Sequence, residues 1–144
     1  VFCALSFGGV LEKTGMLEVI ASTILKFAKG TFGLVFATIA TCILTNIATG
    51  DQYLGIVMPG RMYKEEYEKR NLAAKNLSRA LEDSGTVTSP LIPWTTCGSY
   101  MIATLGINPI AFLPYAFFNI LSPIFSLILA ATGWTMDKRE PNQK

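Results

Sequence analysis

Histidine is absent from the 144-residue sequence, and long stretches of it carry almost no charge. Without histidine, Ser-His-Asp and Cys-His catalysis are excluded within this chain, and so are most metal-hydrolase sites. Asp51 is the only charged residue between Lys29 and Arg61, and residues 84–136 contain no Asp, Glu, Lys or Arg. One membrane-spanning helix needs about 20 mostly apolar residues, so residues 84–136 have room for two spans and a turn. The sequence therefore predicts an integral membrane protein.

Cysteine is scarce, and the start of the chain lacks the pattern of a signal peptide. Cys3, Cys42 and Cys97 are far apart in apolar surroundings without the spacing of metal ligands, so we interpret them as small buried residues. No cofactor is expected. The chain opens at Val1 inside an apolar run, with neither a basic n-region nor a cleavage site. We expect a fragment whose N-terminal portion is missing.

Basic residues concentrate in two polar segments. A connecting segment and the tail contain, respectively, Arg61, Lys64, Lys69, Arg70, Lys75 and Arg79, and Lys138, Arg139 and Lys144. Positively charged loops tend to stay in the cytoplasm, so we expect both segments there and the turn at Gly106 on the opposite side. Glu65, Glu66 and Glu68 interleave with the basic residues, which argues against nucleic-acid binding.

Apolar and polar stretches alternate in a way that predicts an all-α membrane protein. Residues 1–29 contain two short apolar arms around a polar tip, and we expect a re-entrant hairpin there. The alternative is an ordinary helix end followed by a surface helix. Residues 30–60 are long enough to span, but a polar, glycine-containing island at 45–52 interrupts them and Pro59-Gly60 ends them. Such a break is typical of a discontinuous transmembrane helix.

The middle of the chain is polar first and hydroxyl-rich afterwards. Residues 61–83 predict a cytoplasmic or interfacial amphipathic helical segment, supported by Glu-to-Lys or Glu-to-Arg pairs four residues apart. Residues 84–106 predict a hydroxyl-rich break followed by a transmembrane helix. Pro93 suits the first turn of that helix, because the missing N–H would be unpaired there anyway.

The end of the chain is the most continuously apolar part. Residues 107–136 predict the last transmembrane helix, which Pro114 and Pro123 would kink. Trp134 lies where an interfacial aromatic residue belongs. Residues 137–144 would form a cytoplasmic tail.

Two polar islands, residues 45–52 and 82–95, contain the chemistry. Each places carboxylates beside hydroxyl groups and a side-chain amide or exposed carbonyls. Sodium is a hard cation that prefers such oxygen ligands, and unwound backbone supplies free carbonyls. Burial raises the pKa of a carboxylate, whereas a bound cation lowers it. Competition for one such site is sufficient to exchange a cation for protons.

Asp51 is the leading candidate carboxylate, because an ionisable residue inside a span is costly and is usually functional. The alternative is that it caps the second helical piece. Glu82 and Asp83 are further candidates for proton and cation exchange, although a solvated pair is the ordinary interpretation at the end of a charged segment. The candidate cation ligands are Asn46, Thr49, Thr86, Thr88 and Ser89, with Asn46, Thr49 and Asp51 as the expected sodium site. These hydroxyls could instead bond to the carbonyl four residues earlier or to a neighbouring helix.

Three stretches in this order resemble the NhaC-type sodium/proton antiporter family. They are residues 7–15 (FGGVLEKTG), residues 45–53 with 59–63 (TNIATGDQY and PGRMY), and residues 76–91 with 93–94 (NLSRALEDSGTVTSPL and PW). The resemblance covers nearly the whole chain. It implies a multi-spanning antiporter of the bacterial inner membrane, within an ion-transporter superfamily built from inverted repeats with re-entrant hairpins and broken helices.

The resemblance also implies partners and leaves alternatives. Membrane lipid, the sodium ion, the proton and the missing N-terminal half of the same transporter are the expected partners, and a homodimer is a further candidate. A transporter of a small organic anion or amino acid is the second interpretation, but it needs a positive group that the two long apolar runs lack. A membrane enzyme is the third, and only carboxylates remain for its acid–base set.

Overall fold

The computed structural model describes residues 2–28, 30–133, 136 and 138. These residues are helical apart from short connections and one isolated β-bridge, which confirms the all-α prediction. The α-helices are α1 Phe2–Lys13, α2 Met16–Phe27, α3 Gly30–Thr49, α4 Gln52–Lys69, α5 Ala74–Leu81, α6 Thr96–Leu105, α7 Pro109–Phe112 and α8 Phe117–Thr132. A π-helical segment at Glu82–Thr86, called the π segment below, and 3₁₀ turns at Ser89–Leu91 and Leu113–Tyr115 lie between them. Trp134 and most of the predicted tail lie outside the described residues.

Helices α3 and α4 form an antiparallel hairpin. The hydroxyls of Thr41 and Tyr63 are 2.7 Å apart, and those of Thr38 and Tyr67 are 3.3 Å apart, so the residue numbers run in opposite directions along the interface. The chain reverses at Gly50, whose φ of 66° lies in the left-handed region that favours glycine at a helix end. The predicted interruption of residues 30–60 is therefore a reversal between two packed helices and not a break between two collinear pieces.

Helix α4 also continues past the proline at which the segment was predicted to end. A proline inside a helix leaves the carbonyl four residues earlier, here that of Gly55, without its helical partner. Beyond Pro59, however, Tyr63 and Tyr67 are both buried against α3 and bonded to its hydroxyls. This packing keeps the chain helical to Lys69, so the predicted boundary at residue 60 lies inside one helix.

Helix α3 is the centre of the molecule. It contacts α1, α2, α4, α5, α8 and the π segment. Its residues Leu34, Val35 and Cys42 are almost fully buried among side chains of α4, α5 and α8. Cys42 thus agrees with the predicted burial, whereas Cys3 is exposed and Cys97 is half-buried. Among the described residues, α3 is the only helix that is by itself long and apolar enough to cross a membrane.

The chain between α5 and α6 is irregular. Helix α5 passes directly into the π segment, and after the 3₁₀ turn Ile92 and Thr95 are extended. Helix α6 begins where the Thr95 hydroxyl accepts a hydrogen bond from the Gly98 N–H, 3.0 Å away. Gly98 must lack a side chain, since a methyl group there would overlap the carbonyl of Ile92. We refer to residues 92–95 as the break.

The predicted last helix, residues 107–136, is divided. Helix α7 and its 3₁₀ turn are bent by 85° from α6, and α8 begins only after Ala116, whose backbone is not helical. Pro114 therefore breaks the helix instead of kinking it, while Pro123 lies inside α8. Large apolar side chains on α7 and α8 remain exposed, among them Ile110, Tyr115, Phe117, Phe118 and Phe125. Such a surface is typical of contact with lipid or with another protein segment.

Both ends of the described chain pack back on the central helix or its neighbours. Helices α1 and α2 meet at a turn at Thr14–Gly15 and pack on α3. The side chain of Glu12 is outside the described residues, and a re-entrant path for residues 1–29 stays a prediction. After α8, an antiparallel bridge joins Lys138 to Leu72. Lys138 thus lies beside the α4–α5 connection.

Removal of the Tyr63 hydroxyl should loosen the α3–α4 hairpin. Tyr63→Phe leaves the buried Thr41 hydroxyl without its partner on α4, and one lost buried hydrogen bond costs about 1 kcal/mol. We expect a lower Tm of the purified protein in detergent. Tyr53→Phe is the matched control, because Tyr53 is on the same helix but is 67% exposed. An equal Tm for the two variants would contradict this role of Tyr63.

Candidate functional site

The break at residues 92–95 and the start of α6 lie over the tip of the α3–α4 hairpin. The Trp94 indole N–H donates to the carbonyl of Ile47 at 2.8 Å, and the Thr96 N–H donates to the carbonyl of Gly50 at 3.1 Å. The Cys97 thiol donates to the Gln52 side-chain oxygen at 2.9 Å. The last carbonyls of a helix have no partner within it, and here residues 94 and 96 supply two. The two polar islands seen in the sequence therefore meet.

Asn46 joins the hairpin to the π segment. Its side chain is fully buried, and its amide N–H donates to the carbonyl of Gly85 at 2.7 Å. Its Oδ1 has no hydrogen-bond partner among the described residues. That oxygen lies against Gly55, where a methyl group would overlap it. A buried oxygen without a donor costs about 1–3 kcal/mol, so Asn46 Oδ1 is an available ligand for a cation.

Ser89 supplies a second buried oxygen of this kind. It is completely buried, and its Oγ has no partner within the described part of the chain. Its own carbonyl accepts a hydrogen bond from the Thr95 hydroxyl at 2.8 Å, which holds the 3₁₀ turn against the break. Asn46 and Ser89 come from the two different islands. π-Helical geometry often occurs at functional sites, and the π segment, which begins the second island, contacts α3, α4 and the 3₁₀ turn that contains Ser89.

Asp51 and Thr49 organise the turn at the hairpin tip. Asp51 Oδ1 accepts a hydrogen bond from the Tyr53 N–H at 3.1 Å, so Asp51 is the N-cap of α4. The Thr49 hydroxyl accepts from the Asp51 N–H at 3.2 Å and is 2.8 Å from the carbonyl of Thr45. The capping role considered for Asp51 is thus present. The cap uses only Oδ1, and Asp51 is half-buried, so its second carboxylate oxygen is accessible to other ligands.

The other predicted hydroxyl ligands have local partners. The Thr86 hydroxyl donates to Glu82 Oε2 at 2.7 Å, and Glu82 is exposed. The Thr88 hydroxyl donates to the carbonyl of Ser84, the back-bonding alternative for hydroxyls in helices. Glu82, Thr86 and Thr88 are therefore less available to a cation than Asn46 and Ser89.

Asp83 points in a different direction from Glu82 and contacts α8. Its Oδ1 accepts a hydrogen bond from the Ser122 hydroxyl at 3.1 Å, and its Oδ2 accepts one from the Ser126 hydroxyl. Sequence reasoning did not identify these serines. The available signal was their four-residue spacing in an otherwise apolar helix, which puts both hydroxyls on one face.

The chain is similar to known transporters over nearly its whole length. The family model of the Na+/H+ antiporter family matches residues 1–134. The arginine/ornithine antiporter ArcD of Halobacterium salinarum is 41% identical over 99% of this chain and 30% of its own length. The Na(+)/H(+) antiporters NhaC of Alkalihalophilus pseudofirmus and Bacillus subtilis are 39% and 40% identical over 97% and 90% of this chain. The chain spans 30% and 28% of those two relatives. No solved structure matches it.

Filling the space beside Gly55 should displace Asn46. In Gly55→Ala the new methyl group overlaps Asn46 Oδ1, and overpacking of a tight site costs about 1–3 kcal/mol. Gly60→Ala is the matched control on α4, because the methyl group there meets only the end of the Leu81 side chain, at 3.1 Å. We expect a larger fall in Tm for Gly55→Ala. If Gly60→Ala were the more destabilising change, the close approach of Asn46 to Gly55 would be contradicted.

Proposed function

The chain belongs to the Na+/H+ antiporter family, as its motifs predict, and from this membership we propose that its protein exchanges sodium or another monovalent cation for protons across the bacterial inner membrane. The family consists of membrane transporters rather than enzymes. One observation supports the location of exchange in this chain. Two buried oxygens without partners among the described residues, Asn46 Oδ1 and Ser89 Oγ, belong to the two polar islands that meet at the hairpin tip.

The tip supplies the kinds of ligand that sodium prefers. Asn46 Oδ1 is a neutral oxygen already freed from water, and the free carboxylate oxygen of Asp51 provides charge. The last carbonyls of α3 are at the negative end of the helix dipole, which favours a cation. We therefore propose Asn46, Thr49 and Asp51 as the core of the cation site and Ser89 as an additional ligand. The Thr49 hydroxyl is bonded to Thr45 and Asp51, so it would contribute only its remaining lone pair. Thr86 and Thr88 remain weaker candidates.

The length of α4 supports a tip near the middle of the membrane. Residues 52–60 are uncharged and cover about 14 Å at 1.5 Å per residue, which is about half of a 30 Å hydrocarbon layer. The charged residues begin at Arg61 and continue to the end of α4. At this depth the first half of α3, which packs beside the charged part of α4, would lie outside the hydrocarbon layer, although α3 as a whole is long enough to cross it. On this basis the hairpin α3–α4 is proposed to be re-entrant, in addition to the hairpin expected for residues 1–29. Its tip tolerates this depth because residues 94–97 donate to it.

The side of the membrane follows from the charges. The bridge between Leu72 and Lys138 places Lys138 beside the basic connecting segment. The connecting segment and the tail are both rich in Lys and Arg, so we propose that both face the cytoplasm and that the turn at Gly106 faces outward.

Exchange of an amino acid is the second candidate, because one relative is named an arginine/ornithine antiporter. A substrate carboxylate needs a cation or a free helix N-terminus. At the tip the N-terminus of α4 is already occupied by the Asp51 carboxylate, which would repel a second anion. The guanidinium of arginine could pair with Asp51 instead. The region that corresponds to the rest of the relatives' length is proposed to complete the site, and a homodimer stays a prediction.

Transport by the whole protein in proteoliposomes tests the proposal. An outward sodium gradient should drive protons inward, detected by a pH-sensitive dye inside the vesicles, whereas an arginine gradient should not. Asp51→Asn should abolish this exchange with little change in Tm, because Asn is as good an N-cap as Asp but lacks the charge.

Two results would change this proposal. Exchange driven by arginine alone would replace sodium with the amino acid. Normal sodium exchange by Asp51→Asn together with loss in Asp51→Ala would reduce Asp51 to a cap.

Asn46→Ala should retain the fold and weaken the apparent affinity for sodium by about tenfold or more, if the loss of one ligand costs about 1.4 kcal/mol.

The orientation can be measured with single cysteines in a variant that lacks the three native ones. Lys69→Cys and Lys138→Cys should react with a membrane-impermeant maleimide only from the cytoplasmic side, because their segments lie together. Ile107→Cys, 49% exposed beside the Gly106 turn, should react only from outside. Labelling of the first two positions in intact cells would reverse the orientation, and labelling from opposite sides would contradict the bridge.

A further inference from the structure

Helix α8 has one polar face in an otherwise apolar sequence. Asn119, Ser122 and Ser126 are spaced by three and four residues, which puts them in a row on one side of the helix. All three bond to the chain between residues 83 and 87. Asn119 donates to the carbonyl of Val87 at 2.6 Å, and the two serines donate to the two oxygens of Asp83. The last helix is therefore joined to the π segment through polar groups.

The partners of Asp83 lie in the middle of α8. Ser122 and Ser126 are the sixth and tenth residues of a 16-residue apolar helix, and Ser126 is only 4% exposed. Asp83 is itself half-buried, and a carboxylate beside the middle of an apolar helix has lost part of its water, which is costly unless other donors replace it. Two hydroxyl donors, one for each oxygen, compensate for the lost water. An arrangement this specific is unnecessary for an acid at the solvated end of a charged helix.

The π segment explains why Asp83 and its neighbours face different helices. Glu82 is exposed and bonds to Thr86, while Ser84 is buried and contacts Cys42 of α3. Asp83, between them, faces α8. A π turn adds a residue to a helical turn and so changes the direction of the side chains that follow. Of the titratable groups on the elements packed here, Cys42 of α3 contacts Ser84, and Arg79 of α5 is exposed.

We propose that Ser122 and Ser126 are positioning residues that hold Asp83 as the proton-carrying carboxylate, so that α8 belongs to the exchange machinery. This inference rests on the proposed exchange of a cation for protons. Asp83 takes a proton from water on one side, which forms one O–H bond and removes the negative charge. The serine that donated to that oxygen must then turn its hydrogen away. Release of the proton to water on the other side restores both hydrogen bonds. The serines thus sense the protonation state, and the contact between α8 and the π segment weakens when the proton is bound.

Serine variants of the whole protein test the proposal in the same proteoliposomes. Ser122→Ala with Ser126→Ala should lower the maximal rate of proton movement by about tenfold to a hundredfold, because two hydrogen bonds to a charged group are lost. The apparent affinity for sodium should change much less, since Asn46 and Asp51 are unaltered. In the Ser122→Ala background, Ser126→Thr should retain most of the rate because it keeps a hydroxyl. Thr132→Ala is the matched control, since that hydroxyl bonds only to carbonyls of α8 itself.

Difference infrared spectroscopy between low and high pH gives a readout that does not depend on the transported cation. Within the bands of protonated carboxyl groups, one component should be present in the wild type, lost in Asp83→Asn and shifted in the double serine variant. A protein that moves arginine but not sodium would refute the proposed function, and the band would still decide the role of Asp83. A band unchanged in Asp83→Asn, or a wild-type proton rate in the double serine variant, would overturn the inference. So would equal losses in Thr132→Ala and the double variant.

Discussion

The structure depends on one constraint: polar groups that lie away from water must find partners within the protein. Residues 94–97 satisfy this constraint at the tip of the α3–α4 hairpin, with one bond each from Trp94, Thr96 and Cys97. Along the hairpin, Tyr63 and Tyr67 satisfy the hydroxyls of α3. Because most polar groups are paired so completely, the few that have no partner among the described residues become informative.

The proposed functional groups fall into two parts, of which only the first consists of groups without a partner among the described residues. Asn46 Oδ1 and Ser89 Oγ, at or near the tip, are neutral oxygens suited to a cation, whereas Asp83 is a charged group held between the π segment and α8. All of these elements contact α3 directly or through the π segment. A shift of the hairpin against α8 would therefore act on both parts. That arrangement gives a structural basis for coupling, because movement of one ion changes the contacts that hold the other.

The positions of the polar islands were predicted from the sequence more accurately than the bounds of the helices that contain them. Asn46 and Asp51 were identified because polar residues are costly in apolar surroundings, and Asp83 because it lies at the start of the hydroxyl-rich second island. The structure brings the two islands together. Pro59 and Pro114 were interpreted from local rules, and both interpretations needed correction. At Pro59 the packing of Tyr63 and Tyr67 on α3 outweighs the lost hydrogen bond. After Pro114 the described residues contain no comparable pair of buried, bonded side chains, and Tyr115 is 79% exposed, so the next turn is not kept helical. Propensity decides such cases only where tertiary packing is weak.

The sequence by itself determined that the chain is helical and apolar enough for a membrane, where its polar islands lie, and which family its motifs resemble. These properties depend on residues close together in the chain, whose composition and spacing can be read directly. Only the tertiary structure decided that the chain reverses at Gly50 and Asp51, that Asn46 bonds to Gly85, and that Ser122 and Ser126 hold Asp83. These contacts join residues about 40 positions apart. Their geometry depends on how α3, α8 and the π segment pack, and no local pattern specifies that packing.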